Sequence, residues 1–63
     1  MRIIICDDDP VFLDEMSGRI QAYFEKQGSN VAIMTVLDGN ELLRMLGNYP
    51  ADAVFLDIDM PGI

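Results

Sequence analysis

The run Arg2-Ile3-Ile4-Ile5-Cys6-Asp7-Asp8-Asp9-Pro10 decides the fold. Its isoleucines form an uninterrupted apolar block of β-branched residues, the composition of a strand covered on both faces, as a parallel sheet requires. The block stops abruptly at carboxylates. Asp9 followed by Pro10 then reads as a helix start, with the Asp side chain free to cap and proline at the first helical position, where its missing N–H costs nothing.

Working outward, Leu13, Met16, Ile20, Tyr23 and Phe24 recur at spacings of three and four and predict an amphipathic helix that ends at Gly28. Ser29 and Asn30 make a turn, and Val31 to Val36 reads as a second strand. Asp38 and Glu41 stand in capping-box spacing ahead of Leu42, Leu43, Met45 and Leu46. Gly47 is the expected stop of this second helix, with Asn48, Tyr49 and Pro50 as a loop. Ala53 to Leu56 gives a third strand, which again runs into carboxylates at Asp57 and Asp59 before Met60, Pro61 and Gly62 turn the chain. The whole reads as one α/β unit, βαβαβ, with no internal repeat or linker.

Connections of this length suit parallel pairing, and parallel crossovers are right-handed in about 98% of cases. If the first crossover moves outward, the second returns past the first strand only with its helix on the opposite face. The predicted strand order is therefore 2-1-3. Strands one and three become neighbours that end on the same edge, so Asp7, Asp8 and Asp57 are expected to meet in the crevice where the winding reverses, the place where open α/β sheets bind ligands.

Composition narrows the chemistry. At 63 residues and 51% apolar content, the chain suffices for one small core and excludes a multidomain enzyme. Cys6 is the single cysteine, which excludes an internal disulfide and, without a basic-then-apolar leader, points to a cytoplasmic protein. No apolar run approaches the roughly 20 residues of a membrane span. The net charge of −7 makes nucleic acid an unlikely direct partner of this segment. Asp7, Asp8, Asp9, Asp57 and Asp59 carry most of that excess. Carboxylates about 4 Å apart repel by roughly 4 kcal/mol per pair at an effective dielectric near 20, so a cation is expected between them. An oxygen-only site without histidine suits Mg²⁺, which would also let a phosphate dianion approach Asp57 as a nucleophile and form an acyl phosphate.

The stretches "ICDDDP" and "AVFLDIDMPG", separated by a strand and two helices, are similar to the N-terminal half of a response-regulator receiver domain, and the "CDDDP" form is most similar to receivers of LytTR-type transcriptional regulators. The resemblance implies a flavodoxin-like, doubly wound parallel sheet of which residues 1–63 hold the βαβαβ half, a truncated receiver domain. It implies Asp57 as the phosphoacceptor, Asp8 as a direct Mg²⁺ ligand, Asp7 as a ligand through water, and Asp59 as the donor of a backbone carbonyl to the metal. The implied partner is a sensor histidine kinase and the implied output transcription through a DNA-binding effector domain, a signalling role rather than that of a turnover enzyme. The family's strand-four hydroxyl and strand-five lysine have no counterpart in these residues, which implies weak metal binding and poor phosphorylation. With strand three left as an edge, the chain is expected to self-associate.

Other readings exist for the same residues. "FLDIDM" also looks like the Asp-x-Asp pair of haloacid-dehalogenase-type phosphatases, with Asp57 attacking and Asp59 protonating the leaving group, although Met60 and Pro61 stand where that family has Thr or Val. A calcium loop through Asp57, Asp59 and Gly62 meets only part of its pattern. An inactive interaction module is a third class. Asp9 reads as a helix cap rather than a ligand, Cys6, Met16, Met34 and Met45 as packing, and Arg19, Lys26 and Arg44 as solvated surface charges.

Overall fold

A computed structural model describes residues 1–56; residues 57–63, which include Asp57 and Asp59, lie outside the description. Strand β1 (Arg2–Cys6) leads into helix α1 (Pro10–Lys26), strand β2 (Ala32–Val36), helix α2 (Gly39–Asn48) and strand β3 (Ala53–Leu56). The three strands form one parallel sheet in the order β2-β1-β3. This is the α/β, doubly wound half-sheet that the alternation of apolar runs and helical spacing predicts.

The two faces of β1 build two small cores. Ile3 and Ile5 point toward α1, where Leu13 is buried and Met16, Ile20 and Phe24 pack around it. Ile4 and Cys6 point the other way and meet Val36 and Leu42, with Met45, Tyr49 and Ala51 at the margin. Ile3 to Cys6 all lie at 2% exposure or less, so the isoleucine block is indeed a strand covered on both faces.

Local chemistry explains where the helices start and stop. Asp9 caps α1, its Oδ1 accepting from the N–H groups of Val11 at 3.0 Å and Phe12 at 3.4 Å. The helix closes in a Schellman arrangement. Gly28, at φ +74°, donates its N–H to Glu25 O, and Ser29 N–H reaches Phe24 O. Asp38 caps α2 by accepting from Glu41 N–H at 2.8 Å, while the Glu41 carboxylate reaches back one residue further than a capping box requires, to Leu37 N–H.

Several expectations need correction. Gly47 does not end α2, which runs on to Asn48; Pro50 supplies the stop, because the residue before proline is steered out of the helical region, and Tyr49 is extended at φ −128°, ψ 118°. Strand β2 begins at Ala32 rather than Val31. Tyr23 sits off the buried stripe of α1, and Leu43 and Leu46 face outward while Leu42 and Met45 hold the core side of α2. Met34, on the outer strand β2, is an exposed side chain rather than packing.

Candidate functional site

The carboxyl ends of β1 and β3 coincide. Cys6 is in register with Leu56, and the residues that follow them in the sequence are Asp7 and Asp57. Asp7 leaves the sheet still tied to it, its N–H donating to Val36 O at 3.2 Å. Asp8 follows as an exposed residue of the turn into α1. Between these strand ends and the first two turns of α1 lies a cleft of about 170 Å³ lined by Ile5, Cys6, Asp7, Phe12, Met16, Phe55 and Leu56.

Asp7 has the most informative surroundings. It is the buried charged residue among those described, at 8% exposure. Among the described residues its carboxylate accepts from Asp9 N–H, at Oδ1 and 2.9 Å, and no lysine or arginine pairs with it. A nearly buried carboxylate with no cationic partner among the described residues could hold a cation through its remaining lone pairs. With Asp8 beside it, the donor set is all oxygen and anionic, which fits a hard divalent ion such as Mg²⁺. Among the described residues no group of three or more His, Cys, Asp or Glu is gathered for a metal. The remaining expected ligands, Asp57 and Asp59, are outside the described residues, as is the Asp57 phosphoacceptor assignment.

Cys6 is buried at the end of β1, with its Sγ 3.6 Å from Asp38 O, and belongs to the core as expected. Asp9 serves as a cap, also as expected; what sequence reasoning missed is that its main chain reaches Asp7. A turn of the form Asp-x-Asp directly before a proline-started helix is the signal that contained this contact.

Comparison with known proteins adds the decisive observation, because residues 3–63 match the sequence pattern of the response regulator receiver domain. The chain belongs to that family. The receiver assignment covers almost every residue, and the haloacid-dehalogenase-type alternative is not favoured. Over 59 residues the receiver is 34% identical to the TorCAD operon transcriptional regulatory protein TorR of Escherichia coli O157:H7, an alignment covering 94% of this chain and 23% of that protein. The chain thus spans about a quarter of the length of this curated relative. The narrower likeness to LytTR-type receivers, drawn from "CDDDP", finds no support in these matches. No solved structure matches the chain. Among the described residues no helix is long and apolar enough to cross a membrane.

Proposed function

We propose that this receiver accepts a phosphoryl group from a sensor histidine kinase on Asp57, with Mg²⁺ held by Asp7, Asp8, Asp57 and the backbone carbonyl of Asp59. In this reading an oxygen of the Asp57 carboxylate forms the new P–O bond as the P–N bond of the donor phosphohistidine breaks, and the electron pair returns to the imidazole nitrogen. The bound cation supplies the positive charge that lets a phosphoryl dianion meet a carboxylate. Asp7 and Asp8 hold that charge at the sheet edge, and β1 keeps their backbone fixed.

One observation carries the reading: the parallel register that brings Cys6 level with Leu56, the residues that Asp7 and Asp57 directly follow in the sequence. The name of the relative, a transcriptional regulatory protein, supports a transcriptional output through a DNA-binding effector domain, with this segment making no nucleic-acid contact of its own. We place the module in the cytoplasm, in keeping with its lone cysteine.

The test is a magnesium and beryllium fluoride titration followed by amide NMR. Shifts centred on Asp7, Asp8 and Asp9 in the unmodified chain, lost in Asp57→Asn, are the expected result. Steady turnover of a phosphate ester would instead mark a phosphatase, and silence toward both reagents would leave an interaction module.

A further inference from the structure

We propose that Asp9 is a positioning residue for Asp7, so that the cap of α1 sets the affinity of the acidic rim for magnesium. The inference rests on the receiver reading above and concerns the chain's own hydrogen bonds. Asp9 makes two connections at once. Its carboxylate accepts from Val11 and Phe12 N–H, and its own N–H donates to Asp7 Oδ1 at 2.9 Å. The first connection fixes the second. Capping holds Asp9 extended at φ −104°, ψ 106°, and in that conformation its N–H is directed back at Asp7.

The cap is in turn anchored to the core. Asp9 O accepts from Leu13 N–H at 3.1 Å, and Leu13 is buried against Ile3 and Ile5. Asp7 is therefore held from two directions, its main chain by β2 through Val36 O and its carboxylate by the head of α1. A carboxylate whose Oδ1 is already engaged has lost most of its freedom about the terminal side-chain torsion before any ion arrives. Preorganisation of this kind strengthens binding by removing an ordering cost. Oδ1 of Asp9 is turned to the helix N–H groups, and its main-chain N–H is what reaches Asp7, so Asp9 acts through Asp7.

Removing the Asp9 charge alone weakens cation binding by simple electrostatics, so the informative comparison is between two neutral variants. Asp9→Ser keeps a capping oxygen and Asp9→Ala does not. Magnesium titrations by amide NMR on the 63-residue chain should give Asp9→Ser a Kd roughly threefold to tenfold tighter than Asp9→Ala, the range of one modest hydrogen bond. Without metal, hydrogen exchange should find the residue-9 amide protected in the unmodified chain and in Asp9→Ser, and fast in Asp9→Ala and Asp7→Ala. Should Asp9→Ala not fold, Asp9→Gly, which tolerates the cap conformation without a side-chain acceptor, replaces it. Equal magnesium affinities for the serine and alanine variants would overturn the positioning role while leaving the receiver reading intact. No magnesium response in the unmodified chain would remove both.

Discussion

Strands β1 and β3 have nearly interchangeable compositions and opposite environments. Ile3-Ile4-Ile5-Cys6 is sealed, while Val54, Phe55 and Leu56 remain 39–48% exposed. Both runs lack the apolar-polar alternation of a half-buried strand, and both alternate their side chains toward the α1 and α2 faces. The difference is position. β1 has a hydrogen-bonded neighbour on each side and a helix over each face, whereas β3 pairs on one side with β1, and α1 and α2 are centred on β1 and β2. Strand sequence therefore records the environment a segment is suited to, and the fold of these residues supplies that environment to only one of the two.

The contrast can be broken most forcefully at Ile4. Ile4→Ala should cost about 2–5 kcal/mol, enough in so small a domain to abolish the cooperative thermal transition seen by circular dichroism. The next effect concerns association. The apolar groove of about 370 Å³ beside β3, formed with Ile20, Tyr23, Phe24 and Phe55, is expected to drive self-association that sedimentation velocity detects and Phe55→Lys reverses. Sedimentation as a monomer across a wide concentration range would mean that the exposed side of β3 tolerates water. Gly28→Ala, at φ +74°, should lower stability by about 1 kcal/mol in urea melts by straining the turn that brings α1 to its end. The smallest change is expected from Val54→Thr, below about 0.5 kcal/mol in the same melts, since this side chain is already partly in water. A loss at Val54 as large as that at Ile4 would show that β3 is covered in solution.

How much of this was legible in the sequence varied with the range of the forces involved. β1, the Asp9-Pro10 helix start and the parallel 2-1-3 order follow from short-range signals and from the handedness of crossovers, and these appear as expected. At the end of α2 the sequence offers Gly47 as a stop, but the steric demand of Pro50, which acts one residue before itself, sets the end instead. Tyr23, Leu43 and Met34 fall outside the core because apolar spacing tells which side chains are suited to a core, and not how far the neighbouring strands extend to cover them. Of the candidate site, the placement of Asp7 at the rim was legible from the end of the isoleucine block. The hydrogen bond from Asp9 was not, since it depends on main-chain angles that the cap imposes.

At the opposite edge of the sheet, Arg2 N–H donates to Asp52 Oδ2 and Asp52 N–H donates to Arg2 O, each at 2.7 Å. This clasp locks residue 2 against residue 52, and from it both strands climb in step until Cys6 stands level with Leu56. A slip of one residue would throw every β3 side chain onto the wrong face. The level at which Cys6 meets Leu56 is consequently gauged from the base of the sheet, and loss of the surface carboxylate of Asp52 would be felt at the far ends of both strands as a loss of phase.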